Sequence, residues 1–396
     1  MSLVSVEHTR NVLDERAGFC LRAEWGHISA VLGGGHICQL ATRKHPDMNP
    51  LWRPSWHTID PERYSLENDQ VEFGSPPDGR LLAGIAGHSL SFDYFGPPSV
   101  EETAAGLSTH GEAPAVRWQI SREFQEGEPS IEYGAELPVA QIDFRRTLRV
   151  DPKHPVVYCE ERARNLSHAD RPICWNEHVT IGPPFLECGI TMVDMPATHA
   201  KVNPASYSDA MMLTPDADFW WPNAPLQDGG SHNLRTTPDG SYCRYTAQLL
   251  DQARGTCYVA ISNPRAGLLL AYVFRREDFP WVGNWEERFY RRTAPWSGKT
   301  FCRGLEFSTT PFAQPRRQSI SQGPLFNEST YRWLPAASAI KVRYMTLLMD
   351  IPPDFEGVSD VTLEEDRVVV QEFGKGRALS LPAEGSFLAG EATGEQ

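Results

Sequence analysis

The chain has 396 residues, with 37 Lys and Arg against 51 Asp and Glu, so its formal net charge is −14 at pH 7. This charge makes it a poor candidate for binding duplex nucleic acid or an anionic membrane surface, because both attract cationic proteins. Hydrophobic residues make up 40% of the sequence, enough for a sizeable core. No apolar run approaches the roughly 20 residues that a membrane helix needs.

The beginning of the chain and its cysteines predict a cytoplasmic protein. The first 18 residues include Glu7, Asp14 and Glu15 and lack the apolar centre of a signal peptide. None of the eight cysteines belongs to a Cys-x-x-Cys pair, and eight is a low density for this length. We therefore expect reduced cysteines in the core rather than a disulfide framework.

Taken in chain order, the predicted elements are mostly β-strands. Met1–Glu15 is a candidate for a short helix. Pro280–Arg291 is a second candidate, because Trp281, Trp285 and Phe289 recur at i, i+4 and i+8. Period-two alternation and turn residues predict strands at eight places. These are Val116–Phe124, Ser130–Leu137, Gln141–Val150, Val156–Arg164, Thr256–Ser262, Gly267–Phe274, Val342–Ile351 and Arg367–Glu372.

The spread of turn residues favours an all-β protein. The 31 glycines and 32 prolines are distributed evenly along the chain. No Ser/Gly-rich linker divides it, so we predict a single large β-sandwich domain over residues 1–389 and a disordered tail over 390–396. One residue breaks the apolar face of its strand: Arg146 is predicted either to end the strand or to line a wet surface.

Three segments contain histidines or carboxylates that are candidates for chemistry. Residues 106–114 contain His110 and Glu112, residues 175–186 contain His178, and residues 302–312 contain Glu306. The chain has neither a Gly-x-Ser-x-Gly elbow nor a His-Glu-x-x-His motif. An α/β-hydrolase triad and a zincin site therefore have no anchor in this sequence.

The order of these segments resembles the aldose 1-epimerase (galactose mutarotase-like) superfamily, from about Ala30 to Met349. Four motifs carry the resemblance: His110-Gly111, Trp175 with His178, Gly304-Leu305-Glu306, and Leu334-Pro335-Ala336 before the last long strand. The resemblance implies a β-supersandwich of antiparallel strands with few short helices. It also implies an isomerase that interconverts sugar anomers without cofactor or metal, acting on a small-molecule sugar as a monomer or homodimer.

The chemistry of anomer exchange suits these residue types. Opening an aldose ring needs a base for the anomeric hydroxyl proton and an acid for the ring oxygen, and a carboxylate and an imidazole can serve. The resemblance implies that Glu306 is the base and His178 the acid. It implies that His110 is a second donor to the sugar.

The sequence departs from the family at a step where an arginine holds sugar hydroxyls. Gly79–Ile85 resembles that step, but Ala83 and Gly84 stand in place of Asn and Arg. We consider His88 and Arg117 as substitutes, although His88 also reads as a structural turn histidine. The glutamate is followed by Phe rather than the usual Pro, which suggests a divergent branch.

Three more residues are candidates for contacts with a sugar. Glu112 would share the face of His110 if residues 110–112 were a strand, since i and i+2 point to one side. Asp228 is a candidate because it follows Trp220-Trp221-Pro222. Trp281 is a candidate aromatic platform, together with Trp175, Trp221 and Trp296.

Two alternatives remain open at this stage. The missing arginine favours a non-catalytic carbohydrate-binding protein on the same scaffold. A metalloenzyme would use His88, His110 and His178 with Glu112 or Glu306, since imidazoles and a carboxylate suit Zn, Mn or Fe. No compact ligand spacing supports the metalloenzyme.

Overall fold

Antiparallel strands make up most of the described chain, which in this computed structural model is residues 5–124, 129–204 and 212–389. The strands, in chain order, are β1 Ser5–Leu13, β2 Arg16–Arg22, β3 Gly26–Val31, β4 Ile37–Thr42, β5 His88–Asp93, β6 Gln119–Phe124, β7 Ser130–Leu137, β8 Ile142–Val150, β9 Val156–Asn165, β10 Arg171–Ile181, β11 Met192–Asp194, β12 Ala197–Val202, β13 Asp218–Trp220, β14 Asn223–Pro225, β15 Ser231–Asn233, β16 Tyr242–Leu250, β17 Thr256–Asn263, β18 Leu268–Arg275, β19 Trp281–Arg288, β20 Phe301–Ser308, β21 Arg332–Leu334, β22 Ala339–Asp350, β23 Val358–Leu363, β24 Arg367–Glu372 and β25 Ala378–Pro382. The α-helices within the described ranges are α1 Leu66–Phe73, α2 Gly79–Gly84, α3 Val100–Ala104, α4 Arg316–Ser321 and α5 Ser386–Ala389. The tail predicted to be disordered, 390–396, lies outside the described residues.

Two large sheets form the sandwich. The first has the strand order β1-β2-β3-β4-β5-β10-β20-β19-β16-β12-β13, with β21 added on β10. The second has the order β11-β17-β18-β22-β9-β8-β7-β6. Adjacent strands pair antiparallel, as in β10 with β20 and β17 with β18. We call the side of the first sheet that faces the second sheet its inner face, and the opposite side its outer face.

The main core fills the space between the two sheets. The inner face of the first sheet contributes Val179, Leu305 and Phe307, and the second sheet contributes Phe144 and Tyr272. Each of these side chains is at most 2% exposed. Because side chains alternate across a strand, the residues between them point to the outer face. This alternation is what places the candidate site on the outer face.

A small third sheet, β23-β24-β25, covers the far side of the second sheet. Its Val361, Val368 and Val370 pack with Val273 and Leu347 in a separate core cluster. The prediction that residues 1–389 form one domain stays a prediction. No helix within the described ranges has the length and apolarity needed to cross a lipid bilayer.

The all-β prediction is confirmed, and two strands, β7 and β24, have the predicted bounds. The helix predicted over Pro280–Arg291 is wrong, because Trp281–Arg288 is the strand β19. Trp281 and Trp285 lie on one face of that strand, since a spacing of four fits a period of two as well as a helix. Both faces of β19 are buried, so the polar alternation that marks a half-exposed strand is missing.

The short helix predicted over Met1–Glu15 is also wrong for the described part. Ser5–Leu13 forms β1, which pairs with β2 as a hairpin. The turn is made by Asp14 and Glu15, with φ of 50° and 64°. Left-handed backbone at two successive residues is typical of a tight hairpin turn rather than of a helix.

A buried ionic network crosses the core. Arg146 on β8 is fully buried, so it neither ends the strand nor lines a wet surface. Its Nε donates to Glu161, and its Nη2 donates to Oε2 of Glu177 at 3.1 Å. His88 Nε2 lies 2.7 Å from the same Glu177 oxygen, and Trp175 donates to the other at 2.9 Å. Burial raises the pKa of Glu161 to about 8.

Candidate active site

The two residues predicted to be catalytic lie side by side on adjacent strands. His178 of β10 is directly opposite Glu306 of β20, and Glu306 is opposite Gly283 of β19. His178 Nε2 is 3.3 Å from Glu306 Oε1. Both side chains project from the outer face, since their neighbours Val179 and Leu305 belong to the core. The structure therefore brings the predicted acid and base close enough for a proton to pass directly between them.

Two glycines leave the space that the Glu306 carboxyl group occupies. A Cβ at Gly304 would lie 2.5 Å from Oε1 of Glu306. A Cβ at Gly283 would lie 2.1 Å from the Tyr245 hydroxyl and 3.1 Å from Oε2 of Glu306. Real Cβ contacts are essentially never as short as 2.1 or 2.5 Å, so larger residues would move the carboxylate or Tyr245. The Gly-Leu-Glu motif thus has a steric reason at its first position.

Burial makes both members of the pair neutral. Glu306 is 1% exposed and its Oε2 has no hydrogen-bond partner among the described residues, so burial raises the pKa of the carboxyl to about 8. His178 is 4% exposed, and burial lowers the pKa of its imidazole to about 4. At a pH between these two pKa values the pair carries one exchangeable proton, either on the carboxyl or on the imidazole.

A hydroxyl group orients His178. Thr180 Oγ1 lies 3.1 Å from Nδ1 of the imidazole, two residues along the same strand face. When Nδ1–H donates to this hydroxyl, the other ring nitrogen, Nε2, faces Glu306 and is free to take up and release the exchangeable proton. Thr180 is 1% exposed, so water does not replace it easily.

His110 is the third predicted residue that the structure brings to this place. Its ring lies 5.2 Å from the His178 ring and stacks on Phe95 at 5.1 Å. The backbone N–H of Gly96 donates to Nδ1 at 3.1 Å, so in the neutral ring Nε2 carries the proton. Burial lowers the pKa of His110 well below its ordinary range. His110 is therefore a neutral hydrogen-bond donor beside the pair.

Tryptophans form a wall beside the pair, which we call the aromatic wall: Trp52, Trp56, Trp285 and Trp296. The Trp285 ring lies 6.1 Å from His178 and 6.0 Å from Trp296. Trp296 stacks on Trp52 at 6.3 Å and meets Trp56 edge-on at 5.1 Å. Of the predicted platforms, Trp296 belongs to this wall, whereas Trp175 is buried in the main core.

Arg291 places a cation on the aromatic wall. Its guanidinium carbon is 4.8 Å from the centre of the Trp296 ring and 5.5 Å from that of Trp285. Its Nε lies 3.5 Å from the buried Glu287 carboxylate, and 35% of its side chain is exposed. No motif in the sequence singles out Arg291, because only the fold brings the loop between β19 and β20 over the wall.

His88 and Glu112 are not at the site, which corrects the prediction for both. His88 is 1% exposed on the inner face, in the ionic network of the core. Glu112 accepts hydrogen bonds from the backbone of Val139 at 3.2 Å and Ala140 at 2.7 Å. Residues 110–112 are not a strand: His110 and Gly111 have φ of 69° and 85°, so the alternation that was expected to align Glu112 with His110 does not apply.

Arg117 and Asp228 are not brought to the pair either. Arg117 forms an ion pair with Glu62 at 3.1 Å, and 46% of its side chain is exposed. Asp228 is exposed in the turn between β14 and β15, where its Oδ1 accepts the backbone N–H of Gly230 at 3.0 Å. Neither residue has a contact with His178 or Glu306 among the described contacts.

Trp281 lies on the correct face but is covered. It is opposite Ser308 on β20, two residues from Glu306 along that strand. Its side chain is fully buried, and its Nε1 donates to the backbone carbonyl of Ser329 at 2.8 Å. Trp281 therefore supports the floor of the site and offers no free ring face to a sugar.

The ligands that the metalloenzyme alternative requires do not meet. His88 and His178 lie on opposite faces of the first sheet. Within residues 5–124, 129–204 and 212–389, no three His, Cys, Asp or Glu side chains are grouped so that they could hold one metal ion. Among these described residues, the His178–Glu306 pair therefore has no third ligand of this kind.

Solved structures with related architecture share this sandwich. A candidate aldose 1-epimerase from Klebsiella pneumoniae superposes with a TM-score of 0.61 at 12% identity, covering 88% of this chain and 83% of its own. A galactose mutarotase-like protein from Clostridium acetobutylicum gives a TM-score of 0.56 at 13% identity, covering 88% and 99%. A candidate aldose 1-epimerase from Escherichia coli K12 gives 0.55 at 10% identity, covering 88% and 100%. No family model and no curated protein matches the sequence.

Proposed function

We propose that this chain, which has the galactose mutarotase-like β-sandwich fold, is an isomerase that interconverts the anomers of an aldose. The observation that carries the proposal is the buried pair of His178 and Glu306, 3.3 Å apart on one sheet face. In an aldose ring the anomeric hydroxyl and the ring oxygen are both bonded to C1. A base and an acid at this spacing can therefore act on the two oxygens at the same time.

The reaction balances with these two groups alone. With the shared proton on the imidazole, the Glu306 carboxylate takes the proton of the anomeric hydroxyl, the C1–O1 bond becomes a carbonyl, and the C1–O5 bond breaks. His178 gives a proton to the departing O5. The aldehyde rotates about C1–C2, O5 attacks its other face, and the two protons return. No proton enters or leaves the pair over the full cycle.

The surrounding residues suit a polyhydroxylated ring. His110 offers an N–H to a sugar oxygen, and Arg291 offers guanidinium N–H groups at the aromatic wall. The wall itself suits the apolar C–H face of a sugar once its cover is displaced, since Trp285 and Trp296 are only 9% and 6% exposed. Because Glu306 is 1% exposed, a sugar that reaches it has to displace part of this cover. His110 and Arg291 are partly exposed and mark the side of entry.

Exchange NMR across a panel of free aldoses tests the proposal. Saturating the α-anomer signal and observing the β-anomer reports the exchange rate without a coupled enzyme. We expect the protein to accelerate exchange for at least one sugar well above the buffer rate. A panel in which no free or modified aldose responds, although some bind, would leave the scaffold as a binding protein.

The rate of anomer exchange should have a bell-shaped dependence on pH. The active form of the pair holds one proton, which is lost as the pH rises through the Glu306 pKa of about 8. A second proton adds as the pH falls through the His178 pKa of about 4. We therefore expect limbs near pH 4 and pH 8 in kcat/KM. A rate that still rises above pH 9 would contradict a shared proton.

Replacing Thr180 with Val should lower kcat by about tenfold, as for other residues that orient an imidazole. The expected reason is loss of the hydroxyl that accepts the Nδ1 proton and so leaves Nε2 free to exchange a proton with Glu306. Thr180→Ser keeps the hydroxyl and should retain most of the activity. Exchange rates at several pH values separate an orienting role of the hydroxyl from a merely structural one. A structural defect would lower the activity of both variants without shifting the acid limb of the pH profile.

A non-catalytic carbohydrate-binding protein is the second candidate function. The observation behind it is that the family-like step lacks its arginine: Gly79–Gly84 forms the helix α2, with Arg80 exposed. Sugar binding that persists in Glu306→Gln, without anomer exchange in the wild type, would favour this function over the isomerase.

A further inference from the structure

An exposed aromatic cluster lies at the edge of the first sheet. Trp220 of β13 is 62% exposed, an unusual state for so large an apolar side chain. Its ring lies 4.1 Å from that of His199 on β12, tilted by 40°. His199 in turn lies 5.2 Å from Phe326. We call these three residues the edge cluster.

The edge cluster shares the outer face with the candidate active site. Lys201 of β12 is opposite Ala247, Ala247 is opposite Gly283, and Gly283 is opposite Glu306. These residues therefore project from one face. His199 lies two residues before Lys201 on the same strand and is opposite Trp220, so it shares that face.

The distance between the two places excludes a monosaccharide that touches both. From β13 to β20 there are four strand steps, in the order β13-β12-β16-β19-β20. At roughly 4.8 Å a step this is about 19 Å. Phe326 lies between them, 6.4 Å from the Trp281 that supports the floor next to Glu306. A row of aromatic rings thus leads from the edge of the sheet toward the pair.

The chemistry of the edge cluster matches a sugar ring. An exposed indole face suits apolar C–H groups, and polar atoms lie beside it for hydroxyls. Lys201 Nζ is held by Asp216 and Asp218, each at 2.9 Å. Three rings with charged neighbours form a smaller and more polar patch than a stable protein interface needs.

We propose that the edge cluster is a second carbohydrate subsite, which binds a unit of an oligosaccharide whose reducing end lies at Glu306. The proposal rests on the proposed function, since that function places a sugar on the same face. It names the substrate class more narrowly: a linear oligosaccharide of several units rather than a free monosaccharide.

Binding across chain length tests the subsite. Isothermal titration with glucose and with malto- and cello-oligosaccharides of two to six units measures affinity in the wild type, in Trp220→Ala and in Trp333→Ala. Trp333 is the matched control, because it is 53% exposed on β21, which pairs with β10. We expect affinity in one series to rise at least tenfold with length, and Trp220→Ala to remove that gain.

The outcomes separate the subsite from the isomerase. The oligosaccharide affinity of Trp333→Ala should stay at the wild-type value. The rate of glucose anomer exchange in Trp220→Ala should also stay at the wild-type value. Affinity that is independent of length, or equal loss in both variants, overturns the subsite while leaving the isomerase standing. Length-dependent binding through Trp220 without any anomer exchange overturns the isomerase instead. A concentration-dependent dimer that Trp220→Ala dissolves, with no oligosaccharide binding, assigns the cluster to self-association and overturns the proposal.

Discussion

Glu306→Gln is expected to lower the catalysed rate of anomer exchange by about 10²–10⁴-fold, the usual loss when a general base is removed. Gln keeps the size and a hydrogen-bonding oxygen but cannot take the proton of the anomeric hydroxyl. Saturation-transfer NMR on the sugar that responds best in the panel measures the effect. Affinity for that sugar should change far less than the rate.

The matched control is Glu136→Gln, which removes an exposed strand glutamate of β7. It should leave exchange unchanged. If Glu306→Gln retains the wild-type rate while the wild type is active, Glu306 is not the base and the roles assigned to the pair are wrong.

Glu306→Gln should also change stability, in the opposite direction to activity. The folded-state pKa of about 8 lies above the ordinary 4.5, so the folded state favours the protonated carboxyl. The stability that this protonated carboxyl contributes is then fully present below about pH 4.5 and is lost as the pH rises through 8. We expect the variant to unfold at a higher temperature than the wild type at pH 9, and at a similar temperature at pH 4.5. A variant less stable at both pH values would contradict a strained buried carboxylate.

Arg146→Met is expected to destabilise the fold by about 3–5 kcal/mol, the cost of leaving buried carboxylates without their cation. Arg146 is fully buried and bonds to both Glu161 and Glu177. Met fills a similar volume, so the loss reports charge rather than a cavity. Urea unfolding followed by tryptophan fluorescence gives the change in the free energy of unfolding.

The neighbouring Arg145 is the control for this prediction. It lies on the same strand with its side chain on the other face, 26% exposed and paired with Asp143. Arg145→Met should cost less than about 1 kcal/mol, as surface ion pairs do. Adding Glu161→Gln to Arg146→Met should recover part of the loss, because it removes one unpaired carboxyl. Equal costs at 145 and 146 would mean that the network adds nothing to stability.

The sequence predicted eight of the strands correctly but missed others, and it did not settle which face each side chain occupies. Alternation at Gln141–Val150 predicted β8, and the Arg146 that interrupts its apolar face signalled something unusual there. What it signalled depended on β9 and β10, which supply Glu161 and Glu177. The strand β19 is covered on both faces, lacks polar alternation and was mistaken for a helix.

The candidate site was predictable to the extent that its residues stand in motifs. His110, His178 and Glu306 were found through the resemblance, and the structure places all three together. His88, Glu112, Arg117, Asp228 and Trp281 were inferred from local position, and the structure places none of them in contact with the pair. Arg291 and the tryptophans at 52, 56 and 285 lacked any local signal.

By itself, then, the sequence determined the fold class, eight of the strands and the identity of a candidate acid and base. These depend on local periodicity and short motifs, which the chain carries within a few residues. Only the tertiary structure decided which side chains surround the pair. His178 and Glu306 are 128 positions apart along the chain and become neighbours through the pairing of β10 with β20. The aromatic wall, Arg291 and the edge cluster come from loops and strands whose contacts depend on the sandwich as a whole, and no local pattern encodes such contacts.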